Sequence, residues 1–391
     1  FDGDNVHGGA TAFVARLNMD LSQVEAATYL GESSTEQGYG VALAPDGSVY
    51  ATGLTVGPNF PTTDGAYDRT GGPFEDVFIS HLDNELSQLI ASTLVPNGWG
   101  LAVAIDASGN VFLAGQTYHQ DYPTTPGAYD DTCGCSGGFP GNVRLDVVLS
   151  QLNDGLTTLE ASTFLGGGCD DILGDIEVDG SGGVYVSGTS SFCTSSSSPF
   201  PTTSGAYQTA SNNGAGTVFV SRMNVDLTTL EASTVVGGSD SAGGSEGFDM
   251  ELDGDYVYVA GETFSEDYPT TPDAVDMMRE GANEVIVSVL DRDLSMLEYS
   301  TFLGGIEGPR PEEDQGRAIA VGPDGSILVS GQTISPTFPT TPGAFQETGA
   351  GDFDGFVSSI ESFLPTAQEG EGVPTDYTLG QNYPNPFNPS T

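Results

Sequence analysis

The chain contains no lysine. Its 391 residues carry eight basic side chains, all arginine (Arg16, Arg69, Arg144, Arg222, Arg279, Arg292, Arg310, Arg317), against 55 acids, for a formal net charge of −47. Such a polyanion cannot neutralise phosphate, which excludes nucleic acid and anionic membrane surfaces as partners. Once folded it repels itself at low ionic strength, and salt or bound cations relieve that repulsion. A saline habitat or multivalent-cation binding is the expectation. No apolar run is long enough to span a bilayer. Strongly periodic helical segments are hard to find. The four cysteines (Cys133, Cys135, Cys169, Cys193) form no Cys-x-x-Cys pair and have no histidine at zinc-ligand spacing, so a structural zinc site is not expected. Nucleophile elbows, His-Glu-x-x-His pairs and phosphate loops are absent. Of the three histidines, His81 falls within an apolar strand pattern, and His119, near Asp121, has no visible nucleophile to activate.

Glycine, by contrast, is abundant at 55 residues, and apolar content is sufficient to build a core. Many turns with short apolar runs indicate an all-β protein. An aromatic-Pro-Thr-Thr element recurs five times, at Phe60, Tyr122, Phe200, Tyr268 and Phe338, with spacings of 62, 78, 68 and 70 residues. Self-similarity at this period marks an array of supersecondary units. Aligned, each unit holds four short strand candidates. The first is an apolar run such as Leu101–Asp106. A Gly-bearing turn leads to a second of the Val-Tyr-Val-x-Gly type (Val184–Gly188), and the Pro-Thr-Thr loop follows. The third, such as Val147–Leu152, ends in an Asn/Asp turn, and the fourth reads like Glu160–Leu165. Four-stranded antiparallel units repeated radially describe a β-propeller. About five blades are visible, the first and last incomplete. Third strands occur six times but the others five. Residues 12–31 therefore either complete the blade begun by 316–331, displacing or duplicating 356–360, or belong to a larger ring.

The units also resemble the bacterial SBBP β-propeller repeat, as in residues 316–332 followed by 338–345 and 355–360. This resemblance covers about residues 10–361 and implies a propeller, commonly extracytoplasmic, and no reaction. Residues 1–361 thus read as the propeller and 362–376 as an acidic linker. The string Gln381-Asn382-Tyr383-Pro384-Asn385-Pro386-Phe387-Asn388-Pro389-Ser390-Thr391 resembles the opening of the C-terminal sorting domain of type IX secretion. Residues 377–391 would be the start of that domain. The resemblance implies the type IX machinery as a partner and an extracellular or outer-membrane-surface location in a Gram-negative bacterium. No leader pattern precedes Phe1, which reads as a mature N-terminus or a start within a longer chain.

Alternate connections of a four-stranded blade share a face, and the Pro-Thr-Thr loops and blade-to-blade connections are expected on the same, functional one. Pro-Thr-Thr reads as a clasp in which Thr caps a one-turn helix, or as a threonine-lined glycan groove. The connections hold acids: Asp170 and Asp171; Asp240 and Glu246; Glu312, Glu313 and Asp314. Such carboxylates suit calcium, or simply solvated charge. Trp99 offers a stacking platform for a sugar, or packing beneath a loop. Export predicts oxidised cysteines, paired Cys169–Cys193 and Cys133–Cys135. The expected function is non-catalytic: glycan or surface-protein binding, adhesion, or envelope or matrix structure. The alternative is a carbohydrate-active hydrolase or lyase using acids at the channel mouth.

Overall fold

A computed structural model describes residues 10–31, 35–72, 74–135, 144–191, 198–210, 216–239, 244–305, 314–351 and 353–361. The fold is all-β. A two-stranded sheet of β1 (Ala12–Leu17) and β2 (Val24–Leu30) precedes four complete blades. The first blade is β3 (Thr35–Leu43), β4 (Val49–Val56), β5 (Asp76–Leu82) and β6 (Leu89–Val95). The second is β7 (Trp99–Ile105), β8 (Val111–Thr117), β9 (Asp146–Leu152) and β10 (Leu159–Leu165). Next come β11 (Asp171–Val178), β12 (Val184–Ser190), β13 (Thr217–Met223) and β14 (Leu230–Val236). The fourth comprises β15 (Ser245–Asp253), β16 (Tyr256–Thr263), β17 (Glu284–Asp291) and β18 (Leu297–Leu303). A fifth sheet has three strands, β19 (Gln315–Val321), β20 (Ile327–Thr333) and β21 (Asp354–Ile360). All pairings within sheets are antiparallel between consecutive strands, the meander of a propeller blade. β20 pairs with β21, so residues 12–31 do not complete the fifth sheet; they stand as a sheet of their own beside β3.

The repeated sequence signals have local causes. Each first strand carries a bulge, for instance between Gly38 and Gly40 or Gly247 and Asp249. The bulge drives a carbonyl (Gln37, Trp99, Ile172, Glu246, Gln315) into the place where a Cβ would stand on the second strand. Glycine is therefore compulsory at Gly53, Gly115, Gly188, Gly261 and Gly331, which explains the Val-Tyr-Val-x-Gly pattern. In the third-to-fourth turn, Asn153 Oδ1 accepts the amides of Thr157 and Thr158 at 2.9 Å each, and Leu156 is forced to φ 53°. That αL strain is offset because the Leu156 side chain is fully buried.

The Pro-Thr-Thr loop departs from the sequence expectation. It does not stay with the blade-to-blade connections but runs down the outer edge of its blade, along the fourth strand. Thr63 N donates to Ser92 O at 3.0 Å and Thr63 Oγ1 accepts from Ser92 N at 3.0 Å. The pairs Thr125–Ser162, Thr203–Ser233 and Thr271–Ser300 repeat this. The loop tip is a β-turn, not a helix: Ala66 N donates to Thr63 O, and Gly65 takes φ 85°, as the second central residue of a type II turn requires. Tyr67 N, Tyr129 N and Tyr207 N then donate to Leu156 O, Leu227 O and Leu294 O of the following blade. The element covers an edge strand that would otherwise be open to foreign strands, and it ties neighbouring blades together. It is a clasp.

Candidate functional site

At the blade-to-blade end of the first two full blades, four aromatic rings form a row. Trp99, half-buried at the start of β7, meets Tyr118 edge-on with centroids 6.0 Å apart. Tyr118 contacts His119 at 4.1 Å, and His119 contacts Phe74 at 4.4 Å. Phe74 is 49% exposed. The Tyr118 hydroxyl donates to Glu75 Oε2 at 3.0 Å, fixing the ring. Gln116 lies directly across from Trp99 in the β7–β8 ladder. Gln116 Oε1 and His119 Nε2 are buried and have no hydrogen-bond partner among the described residues. Phe74 exposes one end of this row, whose other three rings are half-buried, and a flat molecule with an apolar face can stack there. The sequence singles out Trp99 as a lone tryptophan with either a stacking or a packing role; Phe74, Tyr118, His119 and Gln116 are joined to it only by the fold.

A second polar constellation occupies the same end between the fourth and fifth sheets. Glu246 and Glu262 are cross-strand partners on β15 and β16. Glu262, 3% exposed, accepts hydrogen bonds from Gln315 Nε2 at 2.8 Å and from Asn283 Nδ2. Burial, reinforced by the Glu246 charge, pushes its carboxyl up to about 7. Arg317 stacks over Phe248 at 4.1 Å and donates from Nε to Gln315 Oε1 at 3.1 Å, extending the network.

Of the acids expected at the mouth, Asp170, Asp171, Glu246 and Asp314 lie among the described residues. Asp170 is half-buried and Asp170 Oδ1 accepts from Leu145 N at 2.9 Å. Asp171 and Asp314 are buried, and Glu246 belongs to β15. Asp240, Glu312 and Glu313 lie outside the described residues, as do the linker and the segment 377–391. Cys133 and Cys135 form a disulfide. Cys169 is disulfide-bonded, and Cys193 lies outside the described residues. No helix among the described residues is long and apolar enough to cross a membrane.

The four-stranded antiparallel meanders repeated along the chain define a β-propeller. The chain is similar to the Dos1 propeller (10% identity, TM-score 0.36, covering 81% of this chain and 69% of that one). It is also similar to the NanB sialidase of Streptococcus pneumoniae (8% identity, TM-score 0.41, covering 84% of this chain and 59% of that one). A leech intramolecular trans-sialidase matches at 10% identity and TM-score 0.41, over 90% of this chain and 61% of its own. The chain thus spans less than two thirds of either sialidase. No protein-family model and no curated protein matches the chain.

Proposed function

We propose that this protein is a carbohydrate-binding β-propeller of the cell exterior, with the glycan lying across the Phe74, His119, Tyr118 and Trp99 row. The observation that carries the reading is that row, with His119 Nε2 and Gln116 Oε1 buried and unpaired beside it. A sugar ring presents an apolar C–H face to aromatics and hydroxyls to such polar atoms. With a net charge of −47 on the chain, a neutral or cationic glycan is favoured over a sialylated or sulfated one. The exterior location draws support from the oxidised cysteines and from the type IX-like string at 381–391, which would make the secretion machinery a partner. Adhesion or matrix assembly are the roles such a surface serves. The test is binding to an array of neutral oligosaccharides by the intact chain, Trp99→Ala and Tyr118→Phe. Loss of binding in Trp99→Ala with retained folding is expected. Unchanged binding in that variant refutes the site.

One observation favours hydrolysis as a second reading: Glu262, held up to about 7 beside Glu246, has the protonation of a general acid at neutral pH. Release of reducing sugar from a bound oligosaccharide, abolished by Glu262→Gln, would establish it. Binding without product release would leave Glu262 a structural acid, as its bonds to Gln315 and Asn283 suggest.

A further inference from the structure

Four buried carboxylates take no part in the aromatic row. Asp146, first residue of β9, and Asp171, first residue of β11, are 1% and 0% exposed. Each uses one oxygen to hold the backbone: Asp146 Oδ2 accepts from Gly134 N at 2.5 Å, and Asp171 Oδ2 from Gly167 N at 2.6 Å. Asp146 Oδ1 and Asp171 Oδ1 are buried without a partner of regular hydrogen-bond geometry, although the Cys135 amide also faces the Asp146 carboxylate and the Ser190 hydroxyl the Asp171 one. Gly166 stands between the two groups. A Cβ on it would lie 2.7 Å from Asp171 Oδ2 and 2.9 Å from Asp146 Oδ1, so both carboxylates converge on a point that glycine keeps clear.

A related pair lies two blades further on, where Asp314 accepts from Thr333 Oγ1 at Oδ1 and from Gly305 N at Oδ2 at 3.2 Å, so that Glu284 carries the one unpartnered oxygen. Glu284, first residue of β17, and Asp314, just ahead of β19, are each 1% exposed. They flank Gly304, where a Cβ would lie 2.8 Å from Glu284 Cδ and 3.1 Å from Asp314 Oδ2. Glu284 Oε2 is buried without a partner. At the junction between these two, Thr217 and Ser245 occupy the same places. The fold therefore also builds this corner with neutral side chains.

Two carboxylates facing one another away from water need a positive partner. No arginine forms an ion pair with any of the four among the described residues. Soft metals are disfavoured at the first pair. Cys133 and Cys135, whose sulfurs lie within 4.8 Å of an Asp146 oxygen, are tied to each other and supply no thiolate. What is left is a set of hard oxygen donors.

We infer that Asp146 with Asp171, and Glu284 with Asp314, each hold a hard divalent cation of the calcium class at the seam between neighbouring blades. The cation locks blade to blade from within, where the Pro-Thr-Thr clasp does so from the rim. Calcium itself is the probe, titrated into the whole chelator-stripped chain at slightly alkaline pH and physiological ionic strength, where diffuse binding is screened. Two ions per chain are expected above the diffuse background, each raising the melting temperature. Asp146→Thr with Asp171→Ser, which copies the neutral junction, should fold and lose one ion. Glu284→Gln with Asp314→Asn should lose the other. Full stoichiometry in both double variants overturns the assignment. So does a wild-type chain that takes up no calcium, which would mean that each pair is neutralised by a proton.

Discussion

The side chains of the clasp vary together from blade to blade. Where the loop aromatic is Phe, it stacks on a Phe of the third strand: Phe60 on Phe78 at 4.5 Å and Phe200 on Phe219 at 4.2 Å. Where the loop aromatic is Tyr, the third strand offers Val148 or Ile286 instead. The hydroxyl then reaches a buried serine, Tyr122 to Ser150 and Tyr268 to Ser288, at 2.9 Å each. A phenol has to find a partner when buried, and the branched residue makes room for the ring to reach it. Phe78→Val alone should cost about 2 kcal/mol in urea unfolding through the cavity it leaves. Adding Phe60→Tyr should recover part of that by building the Tyr–Ser80 bond, whereas additive losses would refute the pairing. Tyr122→Phe should cost about 1 kcal/mol, since Ser150 keeps its bond to Ser162 at 2.9 Å.

At the scale of strands, the seam between the third and fourth blades and the fifth sheet is built with acids. The Asp175 carboxylate accepts from the backbone of Met250 in the next blade, and Asp249 Oδ2 accepts from Ile319 N at 2.7 Å in the one after. Burial raises both, Asp175 well above the ordinary range with the Asp249 charge adding to it. Glu177 is pushed up to about 7 by burial and by Glu251. In the unfolded chain these groups lose their protons near the ordinary values of 3.8 and 4.5. Between there and about 7, the folded state holds protons the unfolded state has released, so stability falls as pH rises through that window. Calcium-free protein at constant ionic strength should melt higher at pH 5 than at pH 8 (an interval of about three units spanning that window). Glu177→Gln should flatten the difference, and a rise in melting temperature with pH would contradict the assignment.

The strands themselves were legible because period-two patterns and glycine turns are local signals. The supernumerary third strand, β1, was legible as well, from its sequence around Phe13. What escaped was the path of the Pro-Thr-Thr loop. Its hydrogen bonds run to Ser92 or Ser162, some thirty residues away, and no local pattern encodes a partner at that separation. For the same reason Trp99 was visible as a lone aromatic while its row was not.

At the scale of the molecule, two sheet faces are exposed among the described residues. Val103, Ile176, Met250 and Ile319 hold one position of the first strand, packed on the preceding blade and at most 8% exposed. At that position β3 has Val41, 63% exposed, followed by Leu43 at 71%. At the other end Val357 is 60% exposed, where Ile79, Leu149, Val220 and Val287 are fully buried. In the fifth sheet Thr341 Oγ1, whose counterparts all accept from a fourth strand, is buried without a partner. Contiguous apolar faces of this kind drive association. Val41→Ser with Leu43→Ser should reduce concentration-dependent association in light scattering and leave the melting temperature nearly unchanged. A loss of stability would mean that those residues are covered in solution. The net charge of −47 opposes the compact state, so melting temperature should also climb with NaCl.

The proposed glycan face carries its own reporter, because Trp99 is the one tryptophan of the chain. The most direct measurement is Trp99 fluorescence during titration with a neutral oligosaccharide drawn from the array. A saturable change in intensity and emission maximum is predicted, weakened about tenfold or more by Phe74→Ala with His119→Ala, the truncation of hot-spot aromatics being worth upwards of 1 kcal/mol. Saturable glycan binding that leaves Trp99 emission unmoved, or that survives those substitutions undiminished, would contradict it.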